Sequence, residues 1–330
     1  MNRRLGAAVA AAALLLLTAC GSSDSDSDAG ADDGAAFSFT DDIGTTIELD
    51  EVPDRLVVQS SMAAALTDLG LGEKIVGVFG PLKADGAAAQ VAGLDIDSVE
   101  DVTGGGEYGD VDAEKVAALK PDLIVTSTYL EPDLWYLNDA SKAEVGKLAP
   151  ILVVSFDGKT LPELLDATER AAEALGADLD GAAVKASHDD FTAAGDRVKQ
   201  LAADLGDRTI LAGSYSTDLF YVSNPKVSSD LAYWVDELGL PITIPDNPDE
   251  GGYFESLSWE KADKYPADVF LYDDRIGDAG LQALKNEKVF STLEAAKNDA
   301  YVPWTSVAPP SYQAHADLIN RLADGLGPFV

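Results

Sequence analysis

Gly105-Gly106-Glu107-Tyr108-Gly109-Asp110-Val111-Asp112-Ala113-Glu114-Lys115 and Gly251-Gly252-Tyr253-Phe254-Glu255-Ser256-Leu257-Ser258-Trp259-Glu260-Lys261 align at a constant offset of 146. Each runs from a glycine pair through an aromatic to a Glu-Lys helix start. Each then reaches a proline (Pro121, Pro266), an aspartate (Asp122, Asp268) and an apolar run. The shared order of loop, helix, proline and strand predicts two related lobes in one chain. It also places Tyr108 and the Tyr253-Phe254 pair on loops at equivalent sheet edges, facing each other across the space between lobes. Ligands favour that place, outside the carboxyl ends of parallel strands and between domains.

Around these stretches, β-prone apolar runs alternate with helical patterns. Phe37-Ser38-Phe39 and Thr45 to Leu49 flank Asp41-Asp42-Ile43-Gly44 and read as a hairpin. Strands are expected at 55–58, 75–79, 123–126 and 151–156, and helices at 60–69, 112–120 and 161–176, with Ser60-Ser61 as the N-cap of the first. After residue 205 the pattern restarts, with strands at 209–212, 219–222 and 269–272 and helices at 228–238 and 312–326. Such alternation implies parallel sheets. Between the halves lies a helix over 179–205, whose apolar stripe is Val184, Phe191, Val198, Leu201 and Leu205. At 1.5 Å per residue it would span roughly 40 Å, which suits a rigid spine. The expected fold is therefore α/β: two lobes (37–178 and 206–330), each with a mainly parallel sheet flanked by helices, joined by one long helix.

Arg3 and Arg4 precede a small and apolar run from Gly6 to Leu17 that ends in Leu17-Thr18-Ala19-Cys20. The run is shorter than the ~20 residues a membrane span needs, so 1–19 reads as an export signal. Cys20 is the only cysteine, preceded by small residues and followed by Gly21, as in a lipobox. It is the expected site of lipid attachment at the outer face of the cell membrane, with no internal disulfide possible. Residues 20–36, made mostly of Ser, Asp, Gly and Ala, cannot bury a core and read as a disordered tether. The whole chain has 23 basic against 58 acidic residues, a net charge of −35. Nucleic acid is excluded as a partner, because binding a polyanion needs basic patches. The excess favours solubility and would suit a cationic ligand.

From about Phe37 to Leu326 the chain resembles the siderophore and cobalamin class of periplasmic binding proteins. The residues that carry the likeness are Asp112-Ala113-Glu114-Lys115-Val116-Ala117-Ala118-Leu119-Lys120-Pro121-Asp122-Leu123-Ile124 and Leu257-Ser258-Trp259-Glu260-Lys261 before Pro266-Ala267-Asp268-Val269. The resemblance implies a monomer that captures a ferric siderophore, with cobalamin or haem as the alternative; the shortage of arginine, which disfavours the arginine-rich sites suited to multiply anionic chelates, favours a hydroxamate complex. The resemblance also implies delivery to an ABC permease with its ATPase. Glu114 and Glu260 would be the exposed residues that dock into arginine-lined permease pockets. No cofactor is implied, since the iron stays inside its chelator.

This family matches its cargo through variable aromatic and cationic side chains, so ligand residues are sought at strand ends: Ser60-Ser61, Thr128-Tyr129, Ser214-Tyr215, Asp274-Arg275 and Trp304-Thr305. The candidate ligand-binding set is Tyr108, Tyr129, Tyr215, Tyr253, Phe254, Arg275 and Trp304. Half of the Leu134-Trp135-Tyr136-Leu137 cluster is expected in the core, as are Tyr233 and Trp234. Tyr221 would line the cleft or pack beneath it. His188 and His315 stand in no metal-ligand or triad spacing, and Gly104-Gly105-Gly106 lacks the pattern of a phosphate loop. The chain is therefore not expected to be an enzyme. A surface lipoprotein enzyme or adhesion module on the same fold would need an acid-base cluster that the sequence does not supply.

Overall fold

A computed structural model describes residues 36–83 and 87–330. The expected signal segment, Cys20 and the tether through residue 35 lie outside the described residues.

The first lobe opens with an antiparallel hairpin, β1 (Phe37–Thr40) and β2 (Thr46–Leu49). There follow β3 (Leu56–Gln59), α1 (Ser60–Asp68), β4 (Ile75–Phe79), β5 (Glu100–Asp101), α2 (Ala113–Leu119), β6 (Leu123–Thr128), α3 (Asp139–Val145), β7 (Ile151–Ser155) and α4 (Leu161–Ala174). Its sheet has the order β5-β4-β3-β6-β7 and every pairing is parallel. The central strands β3 and β6 are buried on both faces, which is why Leu56-Val57-Val58 and Leu123-Ile124-Val125 are continuously apolar rather than alternating. α1 is capped by Gln59, whose side chain accepts from the Ser61 and Met62 amides, and not by Ser60-Ser61 as expected.

α5 (Ala182–Asp204) joins the lobes, and its 23 residues span about 35 Å. It buries Val184, Phe191, Ala194 and Val198 and runs along the terminal helix.

The second lobe contains β8 (Ile210–Tyr215), β9 (Leu219–Ser223), α6 (Ser229–Asp236), β10 (Phe254–Ser258), β11 (Val269–Asp273), α7 (Gly277–Lys285), α8 (Glu294–Lys297), β12 (Tyr301–Trp304) and α9 (Tyr312–Leu326). Its sheet has the order β10-β9-β8-β11-β12. β8, β11 and β12 pair in parallel, while β9 is antiparallel to both β8 and β10. Only residues 216–218 link β8 to β9, too few for a parallel crossover. This sheet is thus half parallel, where it was expected to be mainly so.

The stretch at 251–261 also departs from its counterpart. Phe254–Ser258 is a strand and Trp259–Lys261 a single 3₁₀ turn, so a Glu-Lys helix is present only in the first lobe. The strand was masked because one of its inward positions is Glu255, kept buried by a 2.5 Å hydrogen bond from the Tyr265 hydroxyl and a Lys264 ion pair.

The lobes share core and hydrogen bonds. Leu161 and Leu165 of α4 belong to the second lobe's apolar cluster. Tyr253 donates to the Tyr129 carbonyl at 2.6 Å, Ser229 to the Lys159 carbonyl at 2.8 Å, and Ser311 to the Asp68 carboxylate at 2.5 Å.

Candidate functional site

A cavity of about 170 Å³ lies between the lobes. From the first lobe it is walled by Tyr129 and Trp135, just beyond β6, and by Phe156, just beyond β7. The loop after β6 folds back on that strand. The Trp135 amide donates to the Ser127 carbonyl at 2.8 Å, and the Thr126 and Thr128 hydroxyls donate to the carbonyls of Trp135 and Asp133. Leu134 and Leu137 thereby enter the core while Trp135 faces the cavity. Tyr136 sits in the left-handed region at φ 54°, a conformation costly for a bulky residue and held here by the surrounding loop. Tyr129 packs on Phe156 at 4.3 Å and on Trp135 at 4.8 Å, and Tyr253 meets it edge-on from the other lobe at 6.5 Å.

Of the expected ligand residues, Tyr129, Tyr253, Phe254, Arg275 and Trp304 line this one cavity. Tyr108 stands beside it, 59% exposed, with its ring 4.9 Å from Tyr136 and edge-on to Trp135 at 6.1 Å. Gly109 fixes that placement: its φ is +80°, and a Cβ there would lie 2.6 Å from the Asn138 amide nitrogen. Tyr215 is not among the lining residues. It packs on Trp259 at 5.7 Å and donates to the Gly280 carbonyl at 2.8 Å, because β8 ends in a hairpin that turns under α7. Ser60 and Ser61 are buried against Gln59. Trp234 is core and Tyr233 stacks on Phe191, as expected. Tyr221 lies against Phe254. Glu114 and Glu260 are both exposed, on α2 and on the turn after β10.

The ionisable groups are few and unequal. Burial would lower the Arg275 pKa, but Nε and Nη2 both bind Asp273, and the paired carboxylate holds the guanidinium above its ordinary value. Burial pushes Tyr108 and Tyr253 up to about 12 and raises Tyr129, whose buried hydroxyl has no hydrogen-bond partner. Asp230, at the start of α6, is raised to about 6 by burial, against the indole N–H of Trp304, which donates to it at 2.6 Å. His315 is pushed down to about 4 by burial alone.

Sequence reasoning missed Asp230, Phe156, Val227 and His315 as lining residues. Phe156 was readable only as the end of an apolar strand, and Asp230 as an ordinary acidic residue in a helix's first turn. Nothing in one dimension says that α6 begins at the cleft. Among the described residues no group of three His, Cys, Asp or Glu side chains could hold a metal ion, and no helix is long and apolar enough to cross a membrane.

The chain matches the family model described as periplasmic binding protein over residues 57–308. No curated protein matches it. Among solved structures it is similar to DesE, a ferric-siderophore receptor protein from Streptomyces coelicolor: 36% identity, TM-score 0.80, covering 88% of this chain and 97% of that one. It shares its fold with the petrobactin-binding protein YclQ from Bacillus subtilis (20% identity, TM-score 0.66, 88% and 99% covered). The same holds for FhuD2 from Staphylococcus aureus, solved with bound ferrioxamine B (17% identity, TM-score 0.57, 82% and 98% covered).

Proposed function

Because the chain belongs to the periplasmic binding protein family, we propose that it is the extracytoplasmic component of an ABC importer for a ferric siderophore, a hydroxamate complex first among them. It is a binding protein and not an enzyme. It works by capture between the lobes followed by delivery to the permease and its ATPase, with Cys20 as the lipid anchor and Glu114 and Glu260 as docking residues.

The observation that carries this reading is the make-up of the cavity: aromatic walls contributed by both lobes and a single arginine already neutralised by Asp273. Aromatic faces suit the organic shell of a chelate. A multiply anionic catecholate or carboxylate complex would want several free cations, and none lines this site. The similarity to the ferric-siderophore receptor DesE supports the same class. About 170 Å³ is below the ~300–1,000 Å³ of sites that enclose drug-sized ligands. A chelate would therefore rest partly on the exposed apolar rim of Tyr108, Leu130, Val227 and Phe254, or the lobes would part to admit it.

Two of the four tryptophans, Trp135 and Trp304, line the cavity, so intrinsic fluorescence reports on occupancy. Titration with ferric trihydroxamates, ferric catecholates, ferric citrate, haem and cobalamin should give saturable quenching with the hydroxamates at the lowest concentration. Tight quenching by haem or cobalamin alone, or by no chelate, overturns the proposal.

A further inference from the structure

The inner end of the cavity is chemically unlike its mouth. Trp304 and His315, 3% and 4% exposed, mark its buried end, and the half-buried Asp230 is held there by the Trp304 indole. Between them and the rim the walls are apolar, formed by Phe156, Leu161, Leu164 and Val307. Apart from tyrosines, three lining groups can carry charge: Asp230, Arg275 and His315. The Arg275 Nε lies 3.0 Å from each Asp273 oxygen and its Nη2 2.5 Å from one of them, so its charge is already matched. The Ser306 hydroxyl donates to that same carboxylate at 2.8 Å. His315, 4% exposed and without a partner on Nδ1, is neutral in its buried setting. Asp230 alone is left without a countercharge. Its oxygens accept from the Leu231 amide at 2.8 Å and the Trp304 indole at 2.6 Å, and each retains a second lone pair.

We propose that Asp230 makes the inner end of this cavity a subsite for a cationic arm of the ligand, a short alkyl chain ending in a protonated amine. The inference rests on the chelate reading above and narrows it: the cargo carries a free ammonium and not an anionic or acylated terminus. The apolar walls take the methylenes and the carboxylate takes the ammonium, forming a charge-assisted hydrogen bond where water is excluded. Asp230 is half-buried, and a carboxylate partly withdrawn from water without a countercharge carries a cost that a ligand cation removes. A carboxylate arm would instead set two like charges together.

Two matched probe pairs test this on the intact protein by tryptophan fluorescence. Pentylammonium should quench saturably at a concentration at least tenfold lower than 1-pentanol, which has the same chain without the charge. Ferrioxamine B, which bears a free amine, should bind at least tenfold more tightly than its N-acetylated form, and Asp230→Asn should bring the members of each pair within twofold. Equal binding of the two pentyl probes by the wild-type protein overturns the subsite, as does a preference that survives Asp230→Asn. Discrimination between the pentyl probes without binding of either hydroxamate upholds the subsite and refutes the hydroxamate reading. The wild-type comparison needs no variant, so it stands even if Asp230→Asn does not fold.

Discussion

Trp304→Phe probes the junction between core and site. Trp304 is 3% exposed and closes β12, so a phenyl ring keeps most of its apolar burial. What is lost is the indole N–H donated to Asp230 at 2.6 Å and the volume of the fused ring. With Asp230 ionised, losing a donor to a charged acceptor costs about 2 kcal/mol, and the unfilled volume adds about 1 kcal/mol. With Asp230 protonated, the same bond is neutral and its loss costs about 1 kcal/mol. Asp230 titrates at about 6 in the folded protein. The variant should therefore be destabilised by about 3 kcal/mol at pH 7.5 but only about 2 kcal/mol at pH 4.5. At about 2–4 °C per kcal/mol, Tm should fall by about 6–12 °C at the higher pH and by about 4–8 °C at the lower. Thermal melts of both proteins at both pH values decide it. An equal loss at the two pH values, or a larger one at pH 4.5, would show that the indole does not stabilise an ionised Asp230.

Tyr108→Ala should weaken binding of a ferric hydroxamate by about 1–2 kcal/mol while leaving Tm nearly unchanged, because the ring is 59% exposed at the cavity's edge; fluorescence titration and a melt check both halves. Asp68 is raised to about 6 by burial, opposed by the Ser311 hydroxyl and assisted by Asp317, so its contribution to stability is full below about 4 and lost as pH rises through 6. Asp68→Asn should therefore gain stability relative to wild type between pH 4 and pH 7, by about 2 kcal/mol, and a constant difference would remove the linkage. Glu114→Lys with Glu260→Lys should leave affinity and Tm unchanged yet abolish most uptake in cells, since both side chains are exposed and away from the cavity lining; normal uptake would end their role in docking. Cys20→Ala should release the protein from the membrane or leave it unprocessed, and unchanged retention would remove the lipid anchor.

The lobes and the spine were legible because they are written in long periodic patterns. Ile75–Phe79 and Tyr312–Leu326 are found where expected, and the spine stripe of Val184, Phe191 and Val198 is buried as its spacing requires. β10 was not legible, since an inward glutamate breaks the two-residue period and is tolerated only through Lys264 and Tyr265, which follow it in the chain. The same limit governs the site. Tyr129, Arg275 and Trp304 were found by a rule about strand ends, and that rule also selected Tyr215, which the hairpin turns away. A strand end reports that a residue leaves the sheet near the cleft, but its direction depends on the next connection.

Asp230 shows why the deepest part of the site escaped that rule. It belongs to a helix and not to a strand end, and its setting comes from the Trp304 indole 74 positions later in the chain and from a lobe interface that no local pattern encodes. The interface is held by polar contacts, Tyr253 to Tyr129, Ser229 to Lys159, Ser311 to Asp68 and, on α4 itself, Tyr312 to Asp166, while α4 contributes Leu161 and Leu165 to the opposite lobe's core. Hydrogen bonds of about 1 kcal/mol each are readily exchanged for water, whereas drawing two leucines out of a core costs several. Any opening that admits a bulky ligand should therefore pivot about α4 and the spine, breaking polar contacts and leaving the apolar graft in place. The rim would then part more than the inner end, and Asp230 would remain enclosed while Tyr108 and Phe254 separate.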